Sequence, residues 1–103
     1  MSVVNVNINN FENEIKNSEK PVLLDFYANW CAPCRMIAPI VEEVAEENPD
    51  ILVGKINVDE SPELARDFGV VSIPLLVVLR DGEIVEKAVG ARGKIDILKL
   101  LGK

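Results

Sequence analysis

Apolar residues recur along this chain with two alternating spacings, one typical of strands and one typical of helices. Short runs of valine, leucine and isoleucine predict strands, and a 3.6-residue repeat between them predicts helices. Asn9 or Asn10 can cap the first helix, and Lys20-Pro21 ends it, because the residue before proline avoids the helical conformation. The predicted elements are, in order, a strand at 3–6, a helix at 10–20, a strand at 22–27, a helix at 33–47, a strand at 51–58, a helix at 61–68, strands at 75–79 and 84–89, and a helix at 92–101.

The order β-α-β-α-β-α-β-β-α predicts an α/β fold: a central mixed five-stranded sheet flanked by four helices. Residues 22–27 are apolar on both faces, which is typical of a strand buried inside a sheet. Pro39 lies inside the predicted helix at 33–47 and removes a backbone donor, so we expect a kink there. Asp81-Gly82 indicates a hairpin turn. The last helix is predicted to bury three apolar residues, Ile95, Leu98 and Leu101.

Composition and charge limit the classes of protein to which this chain can belong. The chain has 103 residues, enough for one core, so we expect residues 1–103 to form a single domain. Its apolar share of 49% is typical of a globular protein rather than a disordered segment. The net charge of −6 argues against nucleic acid or an anionic membrane as a partner. No signal peptide or membrane span is visible in the sequence, so we expect a cytoplasmic location.

Both thiols lie in the segment Trp30-Cys31-Ala32-Pro33-Cys34, and the chain contains no histidine. The segment joins a buried strand to the start of a helix, where unpaired N–H groups and the helix dipole stabilise a thiolate. We therefore expect Cys31 to be the exposed, attacking sulfur. Cys34, one turn into the helix, should be more buried and should resolve the mixed disulfide. Pro33 suits the first turn, where the N–H that proline lacks would have had no partner.

Three other interpretations of the cysteines compete with redox catalysis. A zinc site needs about four ligands, and the chain has neither a second cysteine pair nor a histidine, so no metal is expected. An inert disulfide between residues this close would remove little entropy from the unfolded chain. Two idle buried thiols would leave the proline at the helix start and the preceding tryptophan without a role. The pattern therefore favours redox catalysis.

Asp25 is unusual in its position, because burying an acid in a continuous apolar strand costs free energy unless the acid is paired or protonated. It could be a strand-edge residue that reaches solvent. The functional alternative is a carboxyl with a raised pKa that exchanges a proton with Cys34, directly or through one water. Lys55 lies in the neighbouring apolar strand, either as the partner of Asp25 or as an exposed edge lysine.

A wider set of residues has the order and spacing of one known family. The matching positions are Asp25-Phe26, Trp30-Cys31-Ala32-Pro33-Cys34-Arg35, Pro39, Lys55-Ile56-Asn57-Val58-Asp59, Phe68-Gly69-Val70, Ser72-Ile73-Pro74, Asp81-Gly82 and Val89-Gly90-Ala91. In these positions the chain resembles the thioredoxin family over nearly its full length. The resemblance implies a thioredoxin fold and a thiol–disulfide oxidoreductase that reduces client proteins. It also implies a thioredoxin reductase as partner, no bound cofactor and a monomeric state.

The resemblance further implies roles for particular residues. Cys31 would attack a client disulfide and Cys34 would then release the reduced client, while Asp25, with Lys55 near it, would serve proton transfer to Cys34. The peptide bond before Pro74 would be cis, and the proline would face the dithiol. The expected client-binding residues are Trp30, Ala32, Pro33, Ile73, Pro74, Gly90 and Ala91. The backbone of the isoleucine in this set would pair with the client's extended chain.

Three residues depart from the family pattern. Ala32 replaces the usual glycine between the cysteines, Tyr27 stands where tryptophan is common, and Leu75 stands where threonine is typical. None of the three is a residue on which the expected chemistry depends, so activity is expected and partner choice stays open. Two alternatives also stay open: a disulfide oxidant or isomerase, and a non-catalytic module that binds a partner through the same surface.

Overall fold

One five-stranded sheet forms the centre of the molecule. The computed structural model describes residues 2–103. The strands are β1 (Val3–Asn5), β2 (Val22–Tyr27), β3 (Leu52–Asn57), β4 (Leu75–Arg80) and β5 (Glu83–Val89). They lie in the order β1-β3-β2-β4-β5. β1, β3 and β2 are parallel, whereas β4 is antiparallel to both β2 and β5. The predicted mixed sheet is therefore confirmed.

Helices cover both faces of this sheet. The helices are a π-helix (Phe11–Lys16), α1 (Ala32–Glu47), which continues through Pro39, α2 (Pro62–Asp67) and α3 (Lys94–Leu100). The π-helix and α2 pack on one face and α1 and α3 on the other, and each pair covers its own apolar core. The central strand β2 presents Leu24 to the first core and Leu23 to the second, which explains why its sequence is apolar on both faces. No helix within residues 2–103 is long and apolar enough to cross a membrane.

The first helix is shorter than predicted. It is a π-helix that ends at Lys16 rather than at Lys20, and Asn10, at its N-cap position, makes no side-chain cap hydrogen bond. The Asn10 side chain instead accepts from the backbone N–H of Asn7 and donates to the carbonyl of Asn5, both at 2.8 Å. These local bonds hold the loop after β1 and compete with capping.

The last helix buries only part of the face predicted: Leu101 is buried and Leu98 is partly buried against the second core, as expected. Ile97 is fully buried and Leu101 is 3% exposed, but Ile95 is 70% exposed, so its predicted burial is wrong. Apolar residues occur at positions 95, 97, 98, 100 and 101, and this pattern is compatible with more than one helical face. Packing against α1 in the second core selects the face that contains Ile97.

The turn between β4 and β5 is a two-residue hairpin at Asp81 and Gly82, as the sequence indicated. Both residues have positive φ, 54° and 79°. This conformation matches the right-handed twist of the flanking strands, and aspartate and glycine are among the residues that adopt it most readily. The hairpin places β5 at the edge of the sheet, with its last residues beside the start of β4.

Candidate active site

The two cysteines lie at the start of α1, just after β2. Cys31 is the N-cap residue of the helix and forms a disulfide with Cys34, and their Cα atoms are 5.3 Å apart. The backbone N–H of Cys34 donates to Cys31 Sγ at 3.3 Å, where a capping side chain normally accepts. A thiolate on Cys31 would receive the same N–H and would lie at the positive end of the helix dipole. The geometry therefore favours negative charge on the first sulfur.

Both cysteines are covered in the disulfide form. Cys31 is 5% exposed and Cys34 is 3% exposed, so the expectation of an exposed Cys31 is wrong for this form. Ala28, Tyr27 and Ile73 pack around the pair and account for the burial. Across residues 2–103, no group of three or more histidine, cysteine, aspartate or glutamate side chains is placed to hold a metal ion.

The segment before β4 borders the dithiol. The peptide bond between Ile73 and Pro74 is cis, as the family resemblance implied, and the carbonyl oxygen of Ile73 lies 3.9 Å from Cys31 Sγ. The carbonyl of Pro74 accepts from the N–H of Gly90 at 2.8 Å. Pro74 is itself buried, whereas Ile73 is half-buried. Among the described residues, the N–H and C=O of Ile73 have no backbone partner, so both can pair with an extended chain.

Exposed residues surround the sulfurs. Trp30 is 69% exposed, and its indole N–H donates to the carboxylate of Asp59 at 2.9 Å. Ala32, Pro33 and Ala91 are also exposed. The bond to Asp59 restrains the large tryptophan ring, so the rim beside Cys31 has a defined shape.

Gly90 and its neighbours shape the opposite rim. Gly90 has a φ of 99°, and an added Cβ would meet no atom of residues 2–103 within 4 Å. Its backbone conformation therefore requires glycine, and the space beside it is open. Arg92 donates to the carbonyl of Val89 at 2.9 Å and lies near that of Gly90 at 3.4 Å. Our sequence reasoning assigned no role to Arg92 or to Asp59, although Asp59 lies in a segment that matches the family.

Asp25 lies in β2 on the face that α1 covers, and it is 4% exposed. Its Oδ1 is buried and has no hydrogen-bond partner among the described residues. Burial raises the pKa of Asp25 from 3.8 to about 7, and the positive charge of Lys55 offsets this only in part. The carboxyl lines a cleft of about 320 Å³ together with Cys34, Ala38 and Lys55. Of the two sequence alternatives for Asp25, the buried one is observed.

Lys55 lies directly opposite Asp25 in the parallel pairing of β2 with β3. Its ammonium nitrogen, however, lies 5.7 Å from the centre of the Tyr27 ring. The unpartnered Oδ1 of Asp25 receives no hydrogen bond from it. The two residues are neighbours in the sheet, but the direct pairing considered from the sequence does not form. Strand register places their Cα atoms together, whereas the long lysine side chain is free to take another partner.

The disulfide lies at the start of a helix. Beside it is a backbone segment whose hydrogen-bonding groups can pair with another chain, and behind it is a buried carboxyl. This arrangement is that of a dithiol–disulfide oxidoreductase on an α/β scaffold. A sequence model of the thioredoxin family matches residues 2–103. The chain belongs to the thioredoxin family.

Individual relatives support the same assignment. A thioredoxin of Mycobacterium tuberculosis is 50% identical over 92 residues, which cover 88% of this chain and 79% of that protein. The bifunctional thioredoxin reductase/thioredoxin of Mycobacterium leprae is 47% identical over 87 residues, 84% of this chain and 19% of that protein. A solved mutant thioredoxin of Halobacterium salinarum has a TM-score of 0.89 at 39% identity, covering 96% of this chain and 87% of that chain. The protein is therefore a dithiol–disulfide oxidoreductase with Cys31–Cys34 as its redox pair.

Proposed function

We propose that Cys31 is the attacking sulfur and Cys34 the resolving sulfur in the reduction of client disulfides. The observation that carries this assignment is the N-cap position of Cys31, whose sulfur accepts the Cys34 N–H. The Cys31 thiolate attacks a client disulfide, forms a mixed disulfide and releases one client thiolate. The Cys34 thiolate then attacks the Cys31 sulfur, closes the internal disulfide and releases the second client thiolate. Two electrons pass from the dithiol to the client.

Asp25 is the proposed proton acceptor for Cys34 before the second attack. Its pKa of about 7 leaves the carboxyl about half ionised near neutral pH, so it can take up a proton and return it. Asp25 and Cys34 line the same cleft, whose volume leaves room for a water molecule that carries the proton. Lys55 lines this cleft too, and its charge favours the ionised carboxyl.

The proposed client surface surrounds Cys31. An extended client chain would pair with the N–H and C=O of Ile73, which have no backbone partner among the described residues, as an added strand. This pairing would bring the client's half-cystine to the attacking sulfur. The open space beside Gly90 would admit the client backbone. The residues assigned to this surface are Trp30, Ala32, Pro33, Ile73, Pro74, Gly90 and Ala91.

A thioredoxin reductase is the proposed source of electrons. The name of the Mycobacterium leprae relative joins a thioredoxin reductase and a thioredoxin in one chain, which supports this type of partner. We propose that residues 1–103 act as a single, monomeric domain in the cytoplasm, where thiols are kept reduced. Sedimentation of the reduced protein tests the monomeric state, and fluorescence microscopy of a tagged chain tests the location.

Reduction of insulin disulfides, with dithiothreitol or a reductase as electron source, tests the roles of the two cysteines. We expect Cys31→Ser to abolish turnover and Cys34→Ser to accumulate mixed disulfides with clients, because the resolving step is lost. Undiminished turnover in Cys31→Ser would contradict the assignment. Trapping by Cys31→Ser instead of Cys34→Ser would reverse it.

The reduction potential separates a reductant from an oxidant or isomerase. A reduction potential of about −270 mV, typical of thioredoxins, would support a reductant of client disulfides. A potential between about −180 and −120 mV would favour an oxidant or isomerase. The protein would be a binding module without redox turnover if wild type were inactive and a Cys31→Ser/Cys34→Ser variant still bound its partner.

A further inference from the structure

Tyr27 and Asp25 lie two residues apart in β2 and therefore on the same face of the sheet. In the pairing with β3, Lys55 is opposite Asp25 and Asn57 is opposite Tyr27. The Lys55 side chain starts beside the carboxyl, but its ammonium lies 5.7 Å from the Tyr27 ring centre, within range of a cation–π interaction. The buried Oδ1 of Asp25 meanwhile has no hydrogen-bond partner in residues 2–103.

We propose that Tyr27 is a positioning residue whose ring holds the Lys55 ammonium away from Asp25, so that the carboxyl has no hydrogen-bonded counter-ion within residues 2–103. The inference rests on the proposed role of Asp25 as proton acceptor for Cys34. An ammonium close to a carboxyl favours its ionised form, and this attraction weakens as the separation grows. The ring and the carboxyl therefore compete for one cation, and the ring controls how tightly Asp25 holds its proton.

Other groups line the clefts around the carboxyl, and the one further cation there among residues 2–103, Arg35, donates to the carbonyl of Asn29 at 2.7 Å. From α1, Arg35 and Cys34 line the same cleft, and Glu42 lines an adjoining one. From β4, the residue opposite the carboxyl is Leu76, which carries no charge. Burial outweighs the attraction of Lys55 in setting the pKa of the carboxyl, as expected when the cation is held elsewhere. In the part of the chain that the structure describes, the cation that contacts the ring is Lys55.

The test compares the titration of Asp25 in wild type, Tyr27→Leu and Tyr27→Phe. Leucine removes the ring, and phenylalanine keeps it as the matched control. The carboxyl is followed by its ¹³C NMR signal in the oxidised protein, assigned by its loss in Asp25→Asn, and the pH dependence of insulin reduction is measured alongside. We expect Tyr27→Leu to lower the midpoint by about 0.5 to 1 pH unit, since the freed ammonium favours the ionised carboxyl. Tyr27→Phe should retain the wild-type midpoint.

Lys55→Gln shows whether the tyrosine acts through the lysine. In that background Tyr27→Leu should leave the midpoint unchanged. An unchanged midpoint in the single variant Tyr27→Leu, or an equal fall with and without Lys55, would overturn the inference. If Tyr27→Leu does not fold, the Hε protons of Lys55 decide the question. Upfield ring-current shifts of these protons in wild type and Tyr27→Phe would support the contact, and random-coil shifts would refute it.

The NMR titration does not depend on turnover. If Asp25→Asn leaves the rate of insulin reduction and its pH dependence unchanged, the proposed proton transfer is therefore refuted. The expected midpoint shift in Tyr27→Leu would still support the positioning role of Tyr27.

Discussion

Replacing Asp25 with asparagine should stabilise the oxidised protein in a pH-dependent way. Burial raises the pKa of Asp25 from 3.8 to about 7, so the folded protein binds this proton more tightly than the unfolded chain does. Well below pH 3.8 the carboxyl is protonated in both states and has no effect. Between about pH 4 and pH 7, the stability of wild type falls as pH rises, and above pH 7 the full penalty applies. Asparagine cannot ionise, so this penalty disappears.

The size of the effect follows from the pKa values. A tenfold change in proton affinity corresponds to about 1.4 kcal/mol, so a rise from 3.8 to about 7 corresponds to about 4 kcal/mol. Burying an amide in place of a carboxyl has its own cost, about 1–3 kcal/mol if its N–H groups lack partners. That cost is the same at every pH. The difference between the two proteins should therefore change by about 4 kcal/mol in favour of asparagine between pH 4 and pH 8.5.

Urea unfolding of the oxidised proteins at pH 4, 5.5, 7 and 8.5 measures this change. Asp67→Asn on α2 is the matched control, because it removes a carboxylate from an exposed position. The free energy of unfolding of this control should change with pH in the same way as that of wild type. Parallel curves for wild type and Asp25→Asn would refute the reasoning, since they would mean that folding does not change the proton affinity of Asp25.

Two pairs of substitutions test the packing, and a fifth substitution tests surface ion pairs. Ile97→Ala should lower the free energy of unfolding by about 2–5 kcal/mol because Ile97 is fully buried, whereas Ile95→Ala at a 70% exposed position should cost far less in the same urea titration. Gly54→Ala should cost about 1–3 kcal/mol, because a Cβ there would lie 2.8 Å from a valine methyl group, and Gly93→Ala, which meets nothing within 4 Å, should cost less. Lys94→Met should destabilise slightly through loss of its two glutamate partners, and a difference that persists in 1 M salt would contradict an ionic origin.

Local patterns predicted much of the fold. The double-sided apolar run in β2 identified the central strand, because a strand covered by helices on both faces has no polar side. Asp81-Gly82 identified the hairpin, because these residues tolerate the positive φ that the turn requires. The two cysteines at a helix start identified the redox site, because both the spacing and the helix terminus are local properties.

Other features depended on packing between distant segments. Several faces of the last helix were equally apolar, and contact with α1 selected Ile97 over Ile95. Cys31 follows a loop that sequence alone suggests is exposed, yet Ile73, far along the chain, packs against it. The hydrogen bond from Trp30 to Asp59 joins residues 29 positions apart, and no local pattern signals it.

By itself, the sequence determined the order of strands and helices, the position of the dithiol and the presence of an acid in a buried strand. Only the tertiary structure decided that the Lys55 ammonium lies over Tyr27 and that one oxygen of Asp25 has no hydrogen-bond partner in the described part of the chain. The physical reason is that periodicity and turn chemistry act between neighbours in the chain. Whether a lysine ammonium lies near an aromatic ring or near a carboxyl depends on the position of side chains from two strands, and a cation–π contact contributes only about 0.5–2 kcal/mol.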